Sequence, residues 1–229
     1  HLQEEEQWDE AAAFTRQAIS RFGANFNLEL ALARSLLFAG KLDQCAEILD
    51  RVRVLPSEMG RASRQLYEWV HIQRALSFLR SKDFRRAEAE LTKSLSWPSH
   101  LGQGRPYQPE ERLQHFLLAH VYDKLGDLEA MRDHEEALTK ATSVPMAGSD
   151  ARHILAHRLH VERGRKQQAD ELMRRFVASA EAGDLEARWI LAQHQEDRSQ
   201  SEKLKRAHPG LFDSYRFRLL DEALEVTAR

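Results

Sequence analysis

Cysteine, glycine, proline and β-branched residues are scarce in this chain of 229 residues. It contains 1 Cys, 10 Gly and 6 Pro, so it cannot form an internal disulfide bond and has few residues that favour turns. Val, Ile and Thr together number 18, against 31 Leu and 29 Ala. Because this bias favours helices over strands, the composition argues against all-β and doubly wound α/β folds.

An excess of charge and long apolar runs are also missing. The chain has 34 Lys and Arg against 36 Asp and Glu, so nothing attracts it generally to nucleic acid or to an anionic membrane. No apolar run approaches the roughly 20 residues that span a bilayer. We therefore expect neither nucleic acid nor membrane as a partner. The single cysteine fits a reducing compartment, and we predict a cytoplasmic protein.

Apolar residues recur at helical spacing along most of the chain. The segments 28–39 and 42–52 each carry such a stripe, and Gly40 lies between them, which predicts two antiparallel helices joined by a short turn. The same hairpin returns at Lys82, Gly126 and Gly164, at intervals of 42, 44 and 38 residues. The sequence therefore predicts an array of similar helix hairpins.

Two positions before each of these turns repeat with the hairpin. Small residues allow two helices to approach closely, and larger residues one turn later fill the space beside the crossing. The residues seven before the turns are Ala33, Ala75, Ala119 and His157, and those four before are Leu36, Phe78, Tyr122 and His160. The first three copies agree well and the fourth agrees in part.

This pattern resembles the tetratricopeptide repeat, which has a period of about 34 residues. The densest copy has Ala75 and Phe78 in its first helix, Phe84 and Ala87 in its second, and ends at Pro98. The resemblance is to a divergent member, because every interval exceeds the family period. It implies an all-α, right-handed solenoid of antiparallel helix hairpins, whose first helices line a concave groove that receives a peptide or a neighbouring domain.

We predict a single solenoid over residues 1–229, cut from a longer protein, since the chain begins with His1. Residues 1–23 are interpreted as a partial first repeat and 24–182 as the main repeats. The latter include a long connector at 97–110, where Trp97, Leu101 and Tyr107 predict packing against the hairpins. Residues 183–208 form the last hairpin. Residues 209–229 form a capping helix, because a stack must cover its last apolar surface.

The predicted groove mixes apolar side chains with arginine, a composition that protein interfaces favour. Its partner would be a protein or peptide, or a companion domain of the same chain. An alternative is that several of these side chains only pack against the next repeat. The groove positions of the family are transferred to this sequence by their distance from each turn. The predicted binding residues are then Arg34, Phe38, Trp69, Ile72, Arg80, Phe116, His120, Lys124 and Arg158.

Three histidines share one face of a predicted helix. The spacing of His153, His157 and His160 could bind zinc, with Glu162 or His194 as a fourth ligand. Because His157 and His160 occupy the two packing positions of the hairpin, we interpret them as buried imidazoles and predict no metal and no cofactor. Nucleophile elbows, phosphate-binding loops and zinc-protease motifs are missing from the sequence, which predicts a non-catalytic protein.

The leading hypothesis is therefore an interaction module, or scaffold, that binds its partner in the groove. An alternative comes from the connector. The stretch 97–113 resembles a segment of bacterial proteins in which such repeats follow a large β-rich domain linked to carbohydrate utilisation. That resemblance implies an accessory region of a carbohydrate-active enzyme whose active site lies in another domain. The sequence leaves the oligomeric state open.

Overall fold

A computed structural model describes residues 7–56, 59–143 and 150–228. In these ranges the chain forms α-helices and one short 3-10 helix and contains no β-strand. The predicted all-α class of helix hairpins is confirmed. None of the described helices is both long and apolar enough to cross a bilayer. The chain divides into two compact units, His1–Pro109 and Glu110–Arg229.

Unit 1 contains five α-helices in its described part. They are α1 (Trp8–Phe22), α2 (Phe26–Phe38), α3 (Leu42–Arg51), α4 (Met59–Arg80) and α5 (Phe84–Leu95), followed by a 3-10 helix at Ser99–Leu101. Each α-helix packs against the next along the chain, and α2 also packs against α4. Helices α2 and α3 form one hairpin and α4 and α5 form the next, with α1 stacked before them.

Unit 2 contains three hairpins and a C-terminal helix. Its helices are α6 (Arg112–Leu125), α7 (Leu128–Ser143), α8 (His153–Glu162), α9 (Lys166–Glu181), α10 (Leu185–His194), α11 (Arg198–Ala207), α12 (Pro209–Phe212) and α13 (Tyr215–Thr227). The hairpins pair α6 with α7, α8 with α9 and α10 with α11, and helices α6 and α7 both contact α8. Helix α13 packs against α6.

All five hairpins turn in the same way. In each turn the residue one or two positions after the end of the first helix has a positive φ angle. The backbone N–H groups of this residue and of the next one donate to carbonyl groups of the last helical turn. The five residues are Gly40, Lys82, Gly126, Gly164 and Glu196, with φ between 55° and 77°. Four of them are the predicted turns. Glu196 was not predicted, because glutamate gives no signal for a left-handed conformation.

The predicted packing positions are buried. Ala33, Ala75 and Ala119, seven residues before their turns, lie in the core and let the paired helices approach closely. The single cysteine, Cys45, is also fully buried, as the repeat pattern predicts. In α10 the corresponding place is taken by Trp189, which is buried as well. The large indole ring at this place reaches the C-terminal helix, as described below.

The first part of the predicted connector packs against unit 1. Leu101 is fully buried, and its carbonyl oxygen accepts a hydrogen bond from Ser63 Oγ at 2.7 Å. The Val54 N–H donates to the His100 carbonyl oxygen at 2.8 Å. Gly102 has a φ of 73°, and a Cβ atom there would lie 2.7 Å from the Val54 carbonyl oxygen. Only glycine therefore fits this contact without a shift of the backbone.

Candidate functional site

The predicted binding residues all lie on the first helix of a hairpin. The first helices are α2 and α4 in unit 1 and α6, α8 and α10 in unit 2, and we call the surface they form in each unit its first-helix face. The predicted residues are Arg34 and Phe38 on α2, Trp69, Ile72 and Arg80 on α4, Phe116, His120 and Lys124 on α6, and Arg158 on α8.

On α2 the structure brings Arg34 and Phe38 together with Trp8 of α1. The Phe38 and Trp8 rings stack with centroids 4.5 Å apart and an angle of 21° between their planes. The exposed Arg34 guanidinium lies 5.9 Å from the centre of the Phe38 ring. Such an exposed cation–π contact contributes about 0.5–1 kcal/mol. Trp8 therefore belongs to this surface.

On α4, Trp69 and Arg80 offer accessible surface, whereas Ile72 does not. Trp69 is half-buried and Arg80 is exposed. Eleven residues separate them, which is about three helical turns, so both point to the same side of α4 about 16 Å apart. Ile72 is buried in the core, because its side of the helix packs against neighbouring helices. It therefore contributes to packing and gives a partner no surface.

In unit 2, the first-helix face carries α13. Helix α13 packs against α6, and its Phe217 ring meets the Trp189 ring of α10 edge to face at 4.6 Å. Arg158 Nη1 of α8 donates a hydrogen bond to the Leu224 carbonyl oxygen at 2.7 Å. The buried residues of α13 are Phe217, Leu219, Leu220, Ala223, Leu224 and Thr227. Helix α13 thus contacts all three first helices of unit 2.

Helix α13 extends beyond the last hairpin, which is where a capping helix was predicted. It contacts that hairpin through Phe217 against Trp189 of α10 and through an ion pair between Lys205 of α11 and Asp221. However, α11 buries only Ser201 and Leu204, so its outer surface is polar and already ends the stack. The apolar side of α13 therefore finds its partners along the first-helix face instead.

The remaining predicted residues of unit 2 differ in accessibility. Phe116 is buried in the core, while His120 is half-buried and Lys124 is exposed. Burial and the positive charge of Lys124 both lower the pKa of His120. Arg158 is engaged by α13 through the hydrogen bond to Leu224. Of the residues predicted to bind a partner in unit 2, Arg158 is thus engaged by the chain itself, and His120 and Lys124 keep accessible surface.

Helices α1, α2 and α3 lie in the part of the chain that is similar to one known repeat. Residues 2–54 match the tetratricopeptide repeat. No curated protein and no solved structure matches the chain. Tetratricopeptide repeats generally mediate protein–protein interaction and are typically non-catalytic. The match covers the helices that carry Trp8, Arg34 and Phe38.

The three histidines of α8 lie inside the hairpin stack of unit 2. His153, His157 and His160 are all buried, in keeping with their packing positions. The His157 ring meets His194 edge to face at 4.9 Å and Phe176 at 6.3 Å. Among the residues that the structure describes, no group of three or more His, Cys, Asp or Glu side chains could hold a metal ion.

We expect these buried imidazoles to make stability depend on pH. Burial, together with the charge of neighbouring cations or imidazoles, lowers the pKa of His153 and of His157 to about 4. An unfolded histidine has a pKa of about 6.5, so the unfolded state binds more protons between pH 6.5 and 4. The contribution of these neutral imidazoles to the free energy of unfolding is fully present above pH 6.5. It decreases as the pH falls toward 4, by up to about 1.4 kcal/mol per pH unit for each histidine.

Urea unfolding at pH 7, 6 and 5 measures this dependence. We expect His157→Gln, which cannot titrate, to remove about 1.4 kcal/mol per pH unit of slope between pH 6 and 5. An unchanged slope in this variant would contradict a buried neutral His157.

A buried ion network outside the repeat pattern joins the starts of α6 and α8. The Arg112 guanidinium, whose residue is only 2% exposed, donates to both Glu110 carboxylate oxygens, at 2.9 and 2.6 Å, and to Asp150 Oδ2 at 2.9 Å. Arg152 Nε donates to Asp150 Oδ1 at 2.8 Å. Burial alone would raise the pKa of Asp150, but the hydrogen bonds and charges of Arg152 and Arg112 lower it well below its usual value. No sequence signal marked this network, because 38 residues separate Arg112 from Asp150.

The aromatic residues of the connector are only partly available to a ligand. The Arg64 guanidinium lies 4.3 Å from the centre of the half-buried Trp97 ring and covers one of its faces. Tyr107 is 98% exposed. The connector is thus a packing element at 97–102 with an exposed tyrosine beyond it, and nothing in this arrangement favours the accessory-enzyme hypothesis.

Proposed function

We propose that this chain is a non-catalytic interaction module that binds a partner protein on the first-helix face of unit 1. One observation carries the proposal. This face presents the exposed Arg34 and Arg80 with the half-buried Phe38 and Trp69, whereas the corresponding face of unit 2 is covered by α13. In the described part of unit 1, α2 and α4 pack mainly against each other and against their chain neighbours α1, α3 and α5.

The chemistry of the unit 1 face suits protein recognition. Tryptophan, other aromatic residues and arginine are enriched among the side chains that dominate binding energy at interfaces. The stack of Phe38 on Trp8 and the contact of Arg34 with Phe38 hold these side chains in place before a partner arrives. Less side-chain entropy is then lost on binding, which favours affinity.

The experiment removes the two side chains of α4 together. The immobilised chain is used to capture proteins from an extract, and the captured proteins are quantified for the wild type and for the Trp69→Ala, Arg80→Ala double variant. We expect at least one captured protein to fall tenfold or more in the double variant, which corresponds to about 1.4 kcal/mol of binding free energy.

A matched control is available on a second helix of unit 2. The Val177→Ala, Arg174→Ala double variant also removes one exposed apolar side chain and one exposed arginine, but from α9. We expect it to capture the same proteins as the wild type. Identical capture by the wild type and the α4 double variant, with both chains folded by circular dichroism, would refute the proposal.

A further inference from the structure

Helix α13 shows what kind of ligand a first-helix face of this chain accepts. It is an amphipathic helix whose Phe217, Leu220 and Leu224 are buried at positions i, i+3 and i+7. Leu224 lies in its last turn, where backbone carbonyl groups have no backbone N–H partner within the helix, and Thr227 Oγ1 lies 3.5 Å from the Leu224 carbonyl oxygen. The hydrogen bond from Arg158 satisfies one of them. The ligand of unit 2 is therefore a helix whose C-terminal end is capped by an arginine.

Arg34 occupies in unit 1 the register position that Arg158 occupies in unit 2. Arg158 lies six residues before Gly164, the left-handed residue of its turn, and Arg34 lies six residues before Gly40. Because the five turns share one geometry, the Arg34 and Arg158 side chains project from equivalent positions of their hairpins. The residues at this place in the other three first helices are Leu76, His120 and Ile190. Only α2 and α8 have an arginine there.

The state of Arg34 differs from that of Arg158 in one respect. Arg158 donates to Leu224 and to Glu162, whereas the exposed Arg34 contacts the Phe38 ring and forms no ion pair with a described residue. A guanidinium has five N–H donors, and a cation–π contact with an aromatic ring does not use them up. The N–H groups of Arg34 can therefore still donate hydrogen bonds to a ligand beside the Phe38 ring. Arg34 is thus held beside an aromatic surface with hydrogen-bond donors to offer.

We propose that the unit 1 face binds an amphipathic helix of a partner protein and that Arg34 caps the C-terminal carbonyl groups of that helix, as Arg158 caps α13. The inference rests on the proposed function and specifies its ligand. The C-terminal end of a helix carries partial negative charge, which complements the exposed Arg34 and Arg80. Phe38 and Trp69 provide the apolar contact for side chains at positions i, i+3 and i+7 of the incoming helix.

A partner protein fits this role better than a second copy of the chain. The best helix that a second copy could offer is its own α13. That helix already buries its apolar side in unit 2 and is anchored there by Arg158 and by the contact with Trp189. A second copy would lose these contacts before it could dock, whereas an independent partner helix loses nothing comparable.

The probe is a fluorescein-labelled synthetic peptide with the sequence of residues 209–228, which contains the buried pattern of α13. Its binding to the full chain is measured by fluorescence anisotropy. We expect saturable binding that weakens about tenfold or more in Arg34→Ala and in Trp69→Ala. Arg34→Lys keeps the positive charge but not the planar donor fork, so we expect a smaller loss than for Arg34→Ala. Arg174→Ala on α9 serves as the control and should bind as the wild type does.

Three results would overturn the inference. The first is a lack of saturable binding to the wild-type chain. The second is weakening by Arg158→Ala but not by Arg34→Ala, because the peptide would then be exchanging with α13 on unit 2. The third is a concentration-dependent dimer in sedimentation velocity that Arg34→Ala abolishes, because the occupant would then be a second copy.

The peptide experiment and the capture experiment separate the two proposals. If the peptide does not bind but the Trp69→Ala, Arg80→Ala variant still loses a captured protein, the interaction function stands and only the helical ligand is wrong. If that variant loses no captured protein, the proposed function is wrong. Peptide binding would then show only that the chain can bind a helix, and not that a partner protein uses this face.

Discussion

Trp189→Ala is expected to lower the free energy of unfolding by about 3–5 kcal/mol. Trp189 is fully buried, and its ring joins α10 to Phe217 of α13. Removing the indole leaves a cavity at the place where three of the other hairpins have alanine, and it also removes an anchor of the C-terminal helix. Equilibrium unfolding in urea, followed by circular dichroism, measures the loss.

Trp189→Phe is the matched control for this prediction. It keeps most of the apolar volume and removes the indole N–H, which has no hydrogen-bond partner among the described residues. We expect a cost below about 1.5 kcal/mol. A cost as large as that of Trp189→Ala would show that burial of the ring is not what stabilises this contact.

Arg112→Leu is expected to lower the free energy of unfolding by about 3–5 kcal/mol, because it leaves a buried carboxylate without one of its partners. Arg112 and Asp150 are both buried, and the guanidinium bridges Asp150 to Glu110. Arg152 alone cannot replace all of these hydrogen bonds. The loss is measured by urea unfolding at pH 7, as for Trp189.

The pH dependence of this loss identifies its cause. The pKa of Asp150 and that of Glu110 are lowered in the folded state by the two arginines, against the opposing effect of burial. Their contribution is therefore present above the unfolded pKa values of about 4 and is lost as the pH falls below them. We expect the difference between wild type and Arg112→Leu to shrink between pH 5 and 3. Arg85→Leu, which removes an exposed ion pair with Glu88, should cost less than about 1 kcal/mol at any pH.

The internal helix has a consequence for how the chain selects a partner. Because α13 is tethered to unit 2, its effective concentration at that face is on the order of millimolar. A partner helix of similar affinity would have to exceed this concentration to replace it. The described part of unit 1 contains only α1, the two hairpins and a 3-10 helix, so it holds no counterpart of α13 that a partner helix would have to displace.

Much of the fold followed from local sequence signals. Helical periodicity predicted the helices, and Gly40, Gly126 and Gly164 marked turns because glycine adopts a positive φ without strain. The small residues Ala33, Ala75 and Ala119 marked the helix crossings. The turn at Glu196 escaped prediction, since its conformation is imposed by the hydrogen bonds of the turn and by the packing of α10 and α11.

The candidate site was predictable only in part. Register along the hairpins placed Arg34, Phe38, Trp69 and Arg80 on one face, where the structure leaves them at least partly accessible. The same register selected Ile72 and Phe116, which are buried. The spacing of residues on a helix does not reveal which side of it the neighbouring helices cover. For the same reason the contact of Trp8 with Phe38 could not be predicted, since it depends on where α1 lies against α2.

The sequence by itself determined that this chain forms helix hairpins, where most of them turn and which small residues separate their helices. These properties arise within one or two adjacent helices, so local periodicity encodes them. Only the tertiary structure decided that α13 lies along the first-helix face of unit 2, and that Arg112 and Asp150 meet across 38 residues of chain. Both depend on how successive hairpins stack, because stacking brings residues together that no sequence interval relates.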